Sequence, residues 1–84
     1  MKHRSNLLTF MEILGALAEG PRLPTKLAQT CNINYARLGE FTGPLEGMGY
    51  IRKELVDGHE VFTVTGEGLK IQEEFERLRA RFPI

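Results

Sequence analysis

Between Gly20 and Lys53 the chain carries Arg22, Lys26, Arg37, Arg52 and Lys53 against only Glu40 and Glu46. Guanidinium and ammonium groups gathered in one stretch suit phosphate oxygens. Arg37, with Asn34 and Tyr35 just before it, adds donors that can reach a nucleic-acid backbone or a base edge. The rest of the chain cancels this charge, since 11 basic residues stand against 11 acidic ones and the formal net charge is zero. A domain held by many phosphate contacts usually carries a basic excess. The balance therefore keeps a protein partner open as the alternative. A continuous basic face around Arg22, Lys26, Arg37 and Arg52 would favour DNA, and acids interleaved among them would favour protein.

Other chemistry has little to build on. Cys31 is the only cysteine, and His3 and His59 are the only histidines, so neither an internal disulfide nor a zinc ligand set can be assembled. Cys31 is expected to be a small buried helix residue. His59 is expected to be incidental at a hairpin tip. The chain lacks a nucleophile beside a base and a glycine-rich phosphate loop after a strand, and Gly66-x-Gly68 reads as a turn and cap. No catalysis and no cofactor are expected. No apolar run approaches the ~20 residues of a membrane span, and Met1-Lys2-His3-Arg4 leads into an amphipathic stretch unlike a signal peptide. The expectation is one cytoplasmic domain over residues 1–84, small enough that association would add to its stability.

The elements that must position these residues follow from spacing. Ser5 is an N-cap for a helix over residues 6–19, where Leu7, Met11, Leu14 and Ala18 recur at helical intervals beside Phe10, Ile13 and Leu17. Gly20-Pro21 ends it. Pro24 fits the first turn of a short second helix, about 24–31, with Leu27, Ala28 and Cys31 as its apolar stripe. Asn34 caps a third helix, and Ile33 can staple onto Leu38; the buried stripe then runs through Phe41, Leu45 and Met48. Gly39, Gly43, Pro44 and Gly47 weaken that helix, which is expected to kink or fray near Gly43-Pro44. Gly47 or Gly49 ends it.

Tyr50–Val56 and His59–Val64 are rich in β-branched and aromatic residues, and Asp57-Gly58 between them is a type I′ hairpin turn. That turn sets Ile51 opposite Val64 and Lys53 opposite Phe62, placing Ile51, Leu55, Phe62 and Val64 on the core face. Thr65 caps a last helix, about 66–82, in which Ile71, Phe75, Leu78 and Phe82 form an a/d seam. Leu69, Ile71 and Phe75 are expected to reach the first helix. Leu78 and Phe82 would extend beyond a compact core toward a partner subunit.

Arg4-Ser5, Ile13-Leu14, Asn32-Ile33-Asn34-Tyr35, Leu38, Phe41, Leu45, Gly49-Tyr50-Ile51 and Thr65-x-x-Gly68 together make the chain resemble archaeal winged helix-turn-helix DNA-binding proteins. That group includes predicted transcriptional regulators and small dimeric chromatin proteins with a C-terminal coiled-coil helix. The resemblance implies a mainly α fold with a small β-hairpin wing (α+β), in the order helix, helix, helix, strand, strand, helix. It also implies double-stranded DNA as partner, with the third helix in the major groove and a homodimer joined by the last helix. The residues implicated are Lys26, Asn34, Tyr35 and Arg37, together with the hairpin from Arg52 and Lys53 to His59. The dimer would use Ile71, Phe75, Leu78 and Phe82. Two departures stand out: the glycines and proline of the third helix replace long polar residues, and the hairpin tip Asp57-Gly58-His59-Glu60 would repel phosphate.

Overall fold

The structure, a computed structural model, describes residues 6–82, so the Ser5 cap and Arg4 lie outside the described residues. The elements are α1 (Asn6–Ala18), α2 (Pro24–Thr30), a 3-10 turn η1 (Tyr35–Arg37), α3 (Leu38–Gly47), β1 (Ile51–Val56), β2 (His59–Val64) and α4 (Gly66–Arg79). The order is that of a winged helix, as expected.

The core is built by the helices and one end of the hairpin: Ile13, Leu14 and Leu17 of α1, Leu27 of α2, Leu38, Phe41 and Leu45 of α3, Ile51 of β1 and Phe62 of β2. Phe10 meets Phe41 edge to face, centroids 5.7 Å apart, tying α1 to α3. Cys31 is buried, as its apolar stripe implies. Leu7 and Ala18 are exposed, whereas Thr9 and Ala16 are buried, so the inward stripe of α1 is rotated from the expected one.

The third helix differs from expectation at its start. Asn34 does cap, its Oδ1 accepting from the Ala36 N–H at 2.9 Å, but the turn it opens is 3-10 and regular helix begins at Leu38. Pro44 then sits inside α3 without ending it; the buried face of Leu38, Phe41, Thr42 and Leu45 outweighs its propensity cost. Met48, expected in the buried stripe, is exposed because α3 stops at Gly47 and Met48 is only its C-cap. Gly49, at φ +79°, follows, with Tyr50 N–H donating to Leu45 O and Gly49 N–H to Glu46 O. This is a Schellman ending, and it sends the chain into β1.

The hairpin register is the expected one, Ile51 pairing with Val64 and Lys53 with Phe62. Asp57 and Gly58 both have positive φ, as a type I′ turn demands. A further pairing had no counterpart in the sequence pattern: Arg22 bridges Phe62, each N–H donating to the other's carbonyl at 3.1 and 2.9 Å. Leu55 is 75% exposed rather than on the core face, because the helices back only the end of the ribbon near Ile51 and Phe62. Val61, on the opposite face, is buried instead.

Thr65 caps α4 as expected, its Oγ1 accepting from Gly68 N–H at 3.1 Å while donating to Gly49 O at 2.6 Å. One hydroxyl thus joins the end of α3 to the start of α4. α4 packs on α1, but through Ile71 and a half-buried Phe75; Leu69, expected inside, is exposed.

Candidate nucleic-acid interface

The turn between α2 and η1 is set by Asn32 at φ +57°. Ile33 N–H donates to Ala28 O at 2.8 Å and Asn32 N–H to Gln29 O at 3.2 Å, a second Schellman ending with asparagine where glycine is commonest. Ile33 tucks against the core, so the direction of η1 is fixed relative to α2. An open groove of about 440 Å³ results, lined by Thr25, Ala28, Gln29, Asn32, Ile33 and Tyr35. Thr25 and Gln29 escaped the sequence reading, because neutral donors on a short helix carry no charge or spacing signal.

Asn34, Tyr35 and Arg37 fall together at the start of the third helix, and all three are exposed. Tyr35 is 60% exposed and lines the groove. Arg37 donates through Nε and Nη2 to Glu40 Oε1 at 3.3 and 3.1 Å, with its guanidinium carbon 5.8 Å from the Phe41 ring centroid. Lys26 is exposed on α2 and has no ion pair among the described residues.

On the hairpin, Arg52 Nη2 lies 2.9 Å from Glu54 Oε2. Lys53 Nζ sits 5.9 Å from the centroid of the ring of Phe62, its cross-strand partner. Arg22 is half-buried, its Nε donating to Ala16 O at 3.2 Å at the end of α1 and its Nη2 to Glu19 at 3.0 Å. Arg22 is therefore a structural tie between α1 and β2. Its neighbours show that the basic stretch is not a continuous field: Arg22, Arg37 and Arg52 each hold a glutamate. The sequence carried this signal in the spacings Glu19-x-x-Arg22, Arg37-x-x-Glu40 and Arg52-x-Glu54.

The residues expected to join two subunits divide along α4. Ile71 packs on the core and Phe75 is half-buried, whereas Leu78 and Phe82 are 55% and 59% exposed. Phe82 lies beyond Arg79, where α4 ends, short of the expected helix to residue 82. Among the described residues, no cluster of His, Cys, Asp and Glu could hold a metal ion, and no helix is long and apolar enough to cross a membrane.

Comparison with known proteins agrees with this architecture. No curated protein matches the chain. Among solved structures, the chain is similar to the transcriptional regulator BldR from Sulfolobus solfataricus (23% identity, TM-score 0.78), covering 87% of this chain and 55% of BldR. It is also similar to Sso10a-2, a DNA-binding protein from the same organism (20% identity, TM-score 0.73), covering 93% of this chain and 84% of the other. A third is Lactococcus lactis ZitR, a cysteine-to-serine mutant in complex with DNA (19% identity, TM-score 0.75), covering 95% of this chain and 55% of ZitR. The chain thus spans just over half the length of BldR and ZitR, and at these identities the likeness is one of fold. The sequence profile that describes winged helix-turn-helix proteins matches residues 3–81, and the chain belongs to that family.

Proposed function

We propose that the protein binds duplex DNA as a homodimer, acting as a transcriptional regulator or chromatin-type protein and not as an enzyme. The observation that carries this reading is the exposed Asn34–Arg37 turn, held outward by the Asn32 ending of α2 in a winged helix-turn-helix chain. η1 and α3 enter the major groove, which is wide enough for a helix. Lys26 from α2 and Arg52 and Lys53 from the wing meet the flanking backbone. Residues 1–84 act as one domain, with 66–82 joining two copies through Ile71, Phe75, Leu78 and Phe82. Support for the last point is the exposed Leu78 and Phe82 pair, which nothing in the protomer's core covers.

Fluorescence anisotropy with mixed-sequence duplex DNA at low salt tests the reading, and absence of binding sinks it. A second reading, a winged-helix module that contacts a protein, rests on the glutamates at Arg22, Arg37 and Arg52 and on the acidic wing tip. By the criterion set from the sequence, these interleaved glutamates count toward the protein partner, although exposed pairs are worth only about 0–1 kcal/mol and can open onto phosphate. Both readings share one fold, and the same titration separates them.

A further inference from the structure

We infer that the tip of the wing docks on the end of α4 in a second copy of this chain. The inference rests on the homodimer reading above and deepens it by naming the surface that meets Leu78. At the tip, Leu55 and Glu60 are cross-strand partners, so their side chains leave the ribbon on one face. Leu55 is 75% exposed and Glu60 is exposed beside it. Asp57 opens the turn next to the exposed Val56, and neither Asp57 nor Glu60 has an ion pair among the described residues. The tip is therefore an apolar pair edged by two free carboxylates. Phosphate repels such a surface, and the wing cations Arg52 and Lys53 stand toward the other end of β1.

The end of α4 is the chemical complement of that tip. An open groove of about 520 Å³ there is lined by Glu74, Arg77, Leu78, Ala80 and Arg81, all of them exposed. Arg77 and Arg81 flank Leu78 and have no ion pair among the described residues, whereas Arg79 lies 3.7 Å from Glu76. The two arginines outnumber Glu74, so this apolar groove is positive where the apolar tip is negative. Opposite charge sets the register of such a contact, and burial of Leu55 and Val56 on Leu78 supplies its affinity. The groove between α1 and α4 also carries acids, but Glu19 and Glu76 there already hold Arg22 and Arg79. In a two-fold dimer each tip meets the other copy's α4, and the contact is made twice.

The test is sedimentation equilibrium of the full chain, unmodified and as Leu55→Lys, Glu60→Lys, and Glu60→Lys combined with Arg77→Glu or with Arg81→Glu. All four positions are exposed, so none of these changes touches the core, and circular dichroism checks that each variant is folded. Glu60→Lys is expected to weaken the dimer by about tenfold, because two ion pairs are lost per dimer, and Leu55→Lys by about tenfold or more. Adding Arg77→Glu or Arg81→Glu to Glu60→Lys is expected to recover most of that affinity, although each arginine substitution alone weakens the dimer. A dimer that neither tip substitution weakens overturns the inference and leaves the homodimer reading standing. A loss that neither arginine substitution repairs puts the tip against some other surface and also overturns it. A chain that is monomeric at every concentration overturns the homodimer reading and this inference with it.

Discussion

Glu40 Oε1 accepts from both Nε and Nη2 of Arg37, so the arginine best placed for DNA is held by an acid one helical turn away. Both side chains are about 60% exposed, and the pair contributes little to stability. Its effect falls on binding, where the carboxylate opposes phosphate. Glu40→Gln is expected to tighten duplex binding by roughly three- to tenfold at low salt, an advantage that fades as salt screens it. Anisotropy titrations of the two proteins at low and high salt check this; equal affinities at low salt would mean that this face does not meet DNA.

The α2–η1 turn depends on Asn32 tolerating a left-handed backbone. Asn32→Gly is expected to leave stability within a few tenths of a kcal/mol, whereas Asn32→Val should cost about 1–2 kcal/mol, because a β-branched residue is strained at positive φ. Denaturant unfolding of both variants is the measurement. Equal losses would show that the turn is set by something other than this backbone angle.

Much of this architecture was legible beforehand, for reasons that can be named. Asp57-Gly58 fixed the hairpin register because a two-residue type I′ turn leaves the strands one way to pair. Thr65 announced its helix because its hydroxyl is the chemical requirement of the cap. What periodicity could not convey was where the core stops: Leu55, Met48 and Leu69 are spaced as core residues, yet each lies past the edge of what the helices cover. Arg22 escaped for another reason, since a single bridging residue has no period. At the candidate site, the positions of Asn34, Tyr35 and Arg37 were readable. Their intramolecular partners became evident only with the side chains in place.

Two glycines make opposite demands. A Cβ on Gly39 would meet nothing within 4 Å, so Gly39→Ala should stabilise the fold by about 0.5–1 kcal/mol through helix propensity. A Cβ on Gly68 would strike the Tyr50 carbonyl oxygen and come within 2.7 Å of Val64 Cγ2, where β1 and β2 meet α4. Gly68→Ala should therefore cost about 1–3 kcal/mol or more. Thermal unfolding separates them by the sign of the shift, and a stabilising Gly68→Ala would mean that α4 sits farther from the hairpin than described.

Leu78, in the last turn of α4, and Phe82, just past its end, are both exposed. If they join two copies, Leu78→Glu combined with Phe82→Glu gives a monomer by sedimentation equilibrium where the unmodified chain is a dimer. An unchanged molar mass would remove the end of α4 from the interface.

Whether this winged helix holds duplex DNA through a small number of backbone contacts is tested most directly by the salt dependence of binding in the unmodified chain and in Lys26→Ala. Each phosphate neutralised contributes about 0.9 to the slope of log K against log salt concentration. With Arg22 tied into the fold and Lys26, Arg37, Arg52 and Lys53 as the exposed cations, two to four contacts are expected and hence a slope of roughly −2 to −4, which Lys26→Ala should make shallower by about 0.9. No binding at low salt, or a slope that Lys26→Ala leaves unchanged, would contradict it.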